Sequence, residues 1–130
     1  MADVTFRDET ATGRPIDEIN VPGLPESMTV RELVRLRVRE EVARFNARPS
    51  HHFNGLVRPD DAEIELNGYR LHQQRRIDWE RQADIAERAF SSNGFFVLAG
   101  DRQVEDLDEV VDLTAVSELV FIKLFPLVGG

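Results

Sequence analysis

The segment Leu119-Val120-Phe121-Ile122-Lys123-Leu124-Phe125 constrains the architecture of this chain more than any other. Every residue in it except Lys123 is apolar, so an extended strand here would be hydrophobic on both faces. Such strands are typical of the covered centre of a sheet. We therefore expect this strand to lie between others and to run parallel to the first strand of the chain.

A hairpin is predicted at the start of the chain. Apolar and polar residues alternate over residues 3–9, which is the period of a half-buried strand. Thr10-Ala11-Thr12-Gly13 has the composition of a turn, and Pro22-Gly23-Leu24-Pro25 is expected to break the strand that follows. The apolar residues of that second strand are Ile16, Ile19 and Val21.

A long amphipathic helix follows the hairpin. Thr29 and Glu32 have the spacing of a capping box, and apolar residues at helical spacing carry the helix to about Asn46. Residues 48–59 are rich in Pro, His, Asn and Gly and are predicted to be a loop.

The middle of the chain predicts further elements. Asn67-Gly68 lies between short apolar pairs and suits the two-residue turn of a hairpin. Asp78 is placed to cap a second helix, which Asn93-Gly94 would end. Residues 95–99 then form an apolar run that predicts a buried strand.

The last third completes the predicted sheet. A turn at Gly100-Asp101-Arg102 leads to a return strand near Val104, and Leu107–Leu113 is predicted to be an irregular helical turn before the final strand. The order of elements predicts an α+β fold in which one long helix crosses one face of a mixed sheet, and this is the β-grasp arrangement.

Composition limits the classes of function. The chain has 130 residues, which suits a single domain, and it has no cysteine, which excludes a disulfide scaffold, a cysteine nucleophile and a thiolate metal site. Its net charge of −8 repels nucleic acids and anionic membranes. No signal peptide or membrane-spanning run is apparent, so we expect a cytoplasmic protein that binds neither.

Arginines on the first helix are the one candidate for a basic patch. Acidic residues Glu32, Glu40 and Glu41 are interleaved with them, which favours a salt-bridged, solvated helix face. The arginines are Arg31, Arg35, Arg37, Arg39 and Arg44.

The end of the sequence carries the functional signal. The final strand is followed almost directly by Leu127-Val128-Gly129-Gly130. Glycine lacks a Cβ, so a glycine tail passes through a narrow channel in which other residues clash. Such a tail suits a chain whose terminal carboxylate is activated inside a partner enzyme.

Two segments resemble ubiquitin. Phe96 to Asp106 is similar to ubiquitin's strand, Ala-Gly turn, return strand and Glu-Asp pair, and Leu107 to Gly130 then has ubiquitin's spacing to the terminal diglycine. Ser27 to Glu32 resembles the entry to ubiquitin's long helix. The tail Phe125 to Gly130 is equally similar to those of the sulfur carriers of molybdopterin and thiamine synthesis.

The resemblance implies a protein modifier that is a substrate of enzymes and is not itself an enzyme. Gly130 and Gly129 would be the activation and conjugation site, with ATP used by an activating enzyme and no cofactor bound to this chain. Its partners would be that enzyme, a conjugating enzyme, a deconjugating protease and target proteins. One alternative is a sulfur carrier that forms a thiocarboxylate at Gly130, and another is a β-grasp interaction module whose tail is never activated.

The chain departs from ubiquitin in three ways. Residues 47–94 are an insert that would provide specificity for cognate enzymes or a surface for self-association. The tail 125–130 is apolar where ubiquitin's carries arginines. Lys123 is the only lysine, so it and the N-terminal amine are the only amide acceptors for a second copy, and this pattern resembles a bacterial ubiquitin-like protein.

Partner contacts are expected from Val128, Leu127, Phe125 and Phe121. If Val120, Ile122 and Leu124 faced the helix, the aromatic residues would lie on the outer face, as in ubiquitin's partner-binding patch. The alternative is that the insert covers them. A metal site is not expected, because the adjacent His51 and His52 would point to opposite faces of a strand.

Overall fold

A computed structural model describes residues 1–65 and 68–124, which form an α+β arrangement of two helices and ten strands. Asn67 of the predicted turn and residues 125–130 lie outside the described residues. The elements are β1 (Ala2–Thr10), β2 (Pro15–Leu24), β3 (Ser27–Thr29), α1 (Val30–Ala47), β4 (His52–Phe53), β5 (Glu63–Glu65), β6 (Gly68–Arg70), α2 (Trp79–Ser91), β7 (Phe95–Ala99), β8 (Arg102–Val104), β9 (Val110–Asp112) and β10 (Glu118–Lys123).

The final strand lies at the centre of a five-stranded mixed sheet with the order β2-β1-β10-β7-β8. β1 and β10 are parallel, with Phe6 opposite Leu119, and the other neighbours are antiparallel. Both expectations for the final strand, its central position and its direction, are confirmed. A three-stranded sheet (β4-β6-β5) and a two-stranded sheet (β3-β9) complete the described strands.

β2 is longer than predicted. The segment Pro22–Pro25 was expected to break the strand, but β2 continues to Leu24, which pairs with Ala2. The extra residue is absorbed by a bulge, where Gly23 has a φ of 72° and donates its N–H to Asp3 Oδ1 at 3.2 Å. Glycine adopts this φ without the steric cost that a Cβ would add, so the pairing resumes beyond Pro22.

α1 begins at the predicted capping box. The Thr29 hydroxyl accepts the Glu32 N–H at 3.1 Å, and the Glu32 carboxylate accepts the Thr29 N–H at 3.0 Å. This satisfies two of the amide groups that a helix leaves unpaired at its start. The helix then buries an apolar stripe against the sheet, consisting of Val30, Leu33, Val34, Val38 and Val42.

Removing the charge of Glu32 is expected to flatten the pH dependence of stability in acid. Hydrogen bonds from Thr29 hold the pKa of Glu32 below its ordinary value. Such a carboxylate stabilises the fold above its unfolded-state pKa of about 4.3, and the contribution is lost as the pH falls through the folded-state value. Glu32→Gln keeps the hydrogen-bonding shape without the charge. Urea unfolding between about pH 3 and 6 measures the slope.

The control for this experiment is Glu40→Gln, which lies on the same helix but outside the cap. It is expected to keep the slope of the natural chain. An equal slope for the natural chain and Glu32→Gln would contradict the prediction.

The second helix has both of its predicted ends. The Asp78 carboxylate accepts the Glu80 N–H at 3.0 Å. At the other end Asn93 has a φ of 61°, its N–H bonds to Phe90 O at 3.1 Å, and the Gly94 N–H bonds to Ala89 O at 2.7 Å. These two bonds satisfy carbonyl groups of the last turn in the manner of a Schellman motif.

Residues 47–94 pack as part of the molecule's main core. α2 lies against α1, and the guanidinium groups of Arg35 and Arg39 lie 5.8 and 5.6 Å from the centre of the Trp79 ring. Phe45 of α1 meets Phe53 edge-to-face, with ring centroids 5.1 Å apart. The predicted loop 48–59 contains the short strand β4, which pairs with β6.

The prediction of an irregular helical turn over Leu107–Leu113 is wrong. Val110–Asp112 forms β9, which pairs with β3 so that Val111 lies opposite Met28. The residues before β9 bind the start of α1. The carbonyl group of Glu109 accepts the N–H of Val30, and that of Leu107 accepts the N–H of Arg31, each at 2.9 Å. A helical turn here would leave those helix amides without these partners.

Among the residues that the structure describes, neither helix has the length and apolarity needed to cross a membrane.

Candidate functional site

The predicted activation site continues from the end of β10. Lys123 ends the strand, and Leu124, the last described residue, is 40% exposed. Gly130, Gly129, Val128, Leu127 and Phe125 lie outside the described residues. The structure therefore describes the residues that immediately precede this segment, at the end of β10. The contacts of those residues are the part of the predicted site that the structure defines.

The expectation that Phe121 lies on the outer face of the sheet is wrong. Phe121 is 0% exposed, meets Phe6 edge-to-face at 5.7 Å, and has the Arg37 guanidinium of α1 5.8 Å from its ring centre. The arrangement considered from the sequence had Val120 and Ile122 facing the helix, and in the structure the alternate residues face it instead. Because side chains alternate along a strand, Leu119, Phe121 and Lys123 face α1, while Val120 and Ile122 lie on the other face. Phe121 is therefore a core residue under α1 and offers no surface to a partner.

Four charged side chains are buried together where β1 and β10 end beneath α1. Asp8, Arg37, Glu41 and Lys123, here called the buried charge cluster, are between 2% and 8% exposed. The Arg37 guanidinium faces the Asp8 carboxylate in a two-pronged pair, with Nε 3.2 Å from Oδ1. Its Nη1 forms an ion pair with Glu41 Oε2 at 3.0 Å, although the N–H groups of Nη1 do not point along a hydrogen bond.

Glu41 joins this cluster to the insert. Its carboxylate accepts the N–H of Leu56 at 3.0 Å from Oε2 and 3.2 Å from Oε1. Gly55 permits this approach, because a Cβ there would lie 3.1 Å from Glu41 Oε2 and 2.2 Å from the Phe53 ring. Asp8 of β1 pairs with Arg37, Arg37 pairs with Glu41, and Glu41 binds Leu56. This chain of contacts holds the loop 54–56 against α1.

The pKa values of the cluster reflect burial opposed by neighbouring charges. Burial raises the pKa of Glu41, and the opposing effects of Arg37 and the Leu56 N–H do not cancel it. Burial lowers the pKa of Lys123 more than Asp8 and Glu41 raise it. For Arg37 burial acts to lower the pKa, but Glu41 and Asp8 outweigh it and the pKa is raised. Asp8, Arg37 and Glu41 form the ion-paired centre of the cluster.

Lys123 points into the molecule. Its Nζ lies 3.5 Å from Oδ1 of Asn54, in the insert. At 3% exposure the amine is not presented on the surface, so the expectation that Lys123 is an acceptor for a second copy is not supported by its position. The insert thus contacts the very end of β10 next to the predicted activation segment.

Sequence reasoning missed this cluster, although a signal was present. Asp8 continues the inward alternation of Val4 and Phe6, and Lys123 continues that of Leu119 and Phe121. Arg37 and Glu41 fall on the apolar stripe of α1 beside Val34, Val38 and Val42. A charge on an apolar stripe predicts either burial with a partner or a break in the stripe, and four such charges meet here.

A cleft of about 510 Å³ lies beside this cluster. Residues 56–62 of the insert form one wall, α2 contributes Ile85, Arg88 and Ala89, and Lys123 and Leu124 close it at the end of β10. Its lining mixes apolar residues such as Leu56 with charged residues such as Asp60 and Arg58. Residues of the insert therefore form much of the surface next to the end of β10.

The remaining candidates have other roles. Arg31 and Arg35 pair with Glu87 of α2, and Arg35 also pairs with Asp84 at 2.9 Å. The predicted ion pairing is present, but these partners come from α2, and Arg37 is buried. Asp60, which precedes β5, pairs with Arg81 of α2 at 2.8 Å.

The histidines are bound to neighbouring groups. His51 Nδ1 lies 3.2 Å from Leu71 O, His52 pairs with Glu65, and His72 Nε2 lies 3.6 Å from Glu63 Oε1. Over residues 1–65 and 68–124, no three His, Asp or Glu side chains are grouped so as to hold a metal ion.

Comparison of the chain with known protein families, with curated proteins and with solved structures finds no match.

Proposed function

We propose that this chain is a cytoplasmic ubiquitin-like modifier of the β-grasp class. Gly130 is its reactive residue, whether it ends the translated chain or is exposed by proteolysis. An activating enzyme adenylates its carboxyl group, and the chain is then carried as a thioester and joined to target proteins.

The observation that carries the proposal is the position of β10. It lies between β1 and β7, parallel to β1, and α1 covers one face of the sheet. A hairpin, a helix across the sheet and a last strand beside the first are the elements of a β-grasp fold. In that arrangement the chain leaves the centre of the sheet and continues directly into the segment Phe125 to Gly130.

The chemistry requires activation because a carboxylate is a poor electrophile. The Gly130 carboxylate attacks the α-phosphorus of ATP, which gives an acyl-adenylate and releases pyrophosphate. A thiolate of the enzyme displaces AMP, and an amine or hydroxyl of the target then displaces the thiolate. The partner supplies the nucleophile and the donors that stabilise each oxyanion, so this chain contributes the electrophile and its presentation.

The insert is proposed to select the partners. The cleft beside the buried charge cluster includes Lys123 and Leu124 at the end of β10, and residues 56–62 of the insert form one of its walls. An enzyme that binds Phe125, Leu127 and Val128 would face this cleft at the same time. Cognate activating, conjugating and deconjugating enzymes would therefore contact the insert as well as the tail.

Deleting Gly129 and Gly130 is expected to abolish conjugation without changing stability. Both residues follow β10 in the sequence and are glycines, which have no side chain to bury, whereas the chemistry requires the terminal carboxyl group. The chain is tagged at Met1, which is 97% exposed, and expressed in its native cell. Extracts with and without ATP are compared by gel shift, and hydroxylamine distinguishes an ester from an amide. Urea unfolding of the two purified chains measures stability.

Replacing the two glycines with alanines is the matched control, because it keeps the carboxyl group and the length. Reduced conjugation in this variant would support passage through a narrow channel. Undiminished conjugates from the deletion variant would contradict the proposal. A monomer heavier by about 16 Da, one oxygen replaced by sulfur, would identify a sulfur carrier instead.

A further inference from the structure

Lys123 and Asn54 are placed for a reaction with each other. Lys123 Nζ lies 3.5 Å from Asn54 Oδ1, one bond from the amide carbon Cγ. The two residues are 69 positions apart, so the fold itself brings an amine and an amide together. The contact is made through Oδ1, so the amine lies within hydrogen-bond distance of the amide group, and the fold supplies the encounter that an intramolecular reaction needs.

Both groups are held by the elements around them. Lys123 is fixed at the end of β10, the central strand, and its side chain is 3% exposed. Asn54 precedes Gly55 and Leu56, and the Leu56 N–H is bonded to the buried Glu41 carboxylate. The buried charge cluster therefore holds Lys123 directly, and it holds the loop that carries Asn54 through Leu56.

We propose that Lys123 and Asn54 form an intramolecular isopeptide bond. Lys123 Nζ, as the neutral amine, attacks Cγ of Asn54, and a Cγ–Nζ bond forms. The Cγ–Nδ2 bond breaks, one proton passes from Nζ to Nδ2, and the leaving group departs as ammonia. No oxidant or reductant takes part.

The surroundings favour each step. Burial lowers the pKa of Lys123, which increases the neutral fraction of the amine. Glu41 is electrostatically coupled to Lys123, and burial raises its pKa, so its carboxyl group suits the transfer of the proton. Asn54 is exposed, so ammonia leaves directly into solvent.

The intact mass of the purified full chain tests the proposal, which does not depend on the proposed conjugation. The expected mass is about 17 Da below that of the sequence, the mass of one ammonia. Tryptic digestion is expected to yield one linked peptide pair that contains Asn54 and Lys123. Asn54→Ala and Lys123→Arg are expected to have their full masses, and Glu41→Gln a smaller reacted fraction.

Asn54→Ala changes an exposed loop residue and so keeps the test valid if Lys123→Arg fails to fold. Asn20→Ala, an exposed asparagine on β2, is the control and is expected to keep the loss of mass. An unreduced mass for the natural chain would overturn the proposal. A loss that persists in Lys123→Arg and is cleaved by hydroxylamine would also overturn it, since it would show a succinimide at Asn54-Gly55.

Discussion

Replacing Arg37 with leucine is expected to lower the free energy of unfolding by about 3–5 kcal/mol. The substitution leaves the Asp8 carboxylate, 3% exposed, without the guanidinium that it faces. A buried charge without its partner is costly because the interior does not replace the water it has lost. Urea unfolding at neutral pH, followed by circular dichroism, measures the change.

Two further variants identify the cause. Arg44→Leu removes an exposed arginine that lies 3.4 Å from Asp17, and such a pair contributes about 0–1 kcal/mol. The double variant Arg37→Leu, Asp8→Leu removes both charges and is expected to recover part of the loss. Equal losses for Arg37→Leu and Arg44→Leu would show that the buried charge cluster does not matter to stability.

Phe121→Ala is expected to cost about 3–5 kcal/mol, because it leaves a cavity under α1 where the ring now meets Phe6. Ile122→Ala is the matched control, since the next residue along β10 lies on the other face of the sheet and is only partly buried. It is expected to cost less than half as much. Thermal unfolding of the two variants side by side makes the comparison.

The opposite ranking would mean that Ile122 faces the core and Phe121 does not. The result also decides how conjugation assays are interpreted. Under the proposed function, a Phe121 variant that fails to conjugate would report damage to the core, whereas variants of Phe125 would test the proposed contact with a partner.

Elements with strong local signals were predictable from the sequence. The capping box at Thr29, the aspartate cap at Asp78 and the stop at Asn93-Gly94 each depend on residues within one turn of one another. The central place of β10 was predictable as well, because a strand that is apolar on both faces has few other stable positions.

Features that depend on distant partners were not predictable in this way. β9 has three residues, one of them 61% exposed, and exists because β3 pairs with it. The inward phase of Phe121 depends on which face of β10 meets α1, and alternation alone allows both phases. Arg37 resembled its solvated neighbours until Asp8, on another element, was seen to face it. The sequence therefore predicted a site in the tail, and the buried charge cluster at the end of β10 became apparent only from the fold.

The central position of β10 also affects how the protein is made. Translation delivers β1, β2 and β7 before β10, yet β1 and β7 have no contact in the sheet until β10 is inserted between them. Long-range parallel pairing forms late because loop closure must precede it. Until β10 has left the ribosome, the hairpin β1–β2 and β7 lack the strand that joins them, so the apolar residues that pack around β10 in the finished fold remain exposed. A fusion partner placed after this chain would lengthen the interval between synthesis of β10 and release of the finished chain.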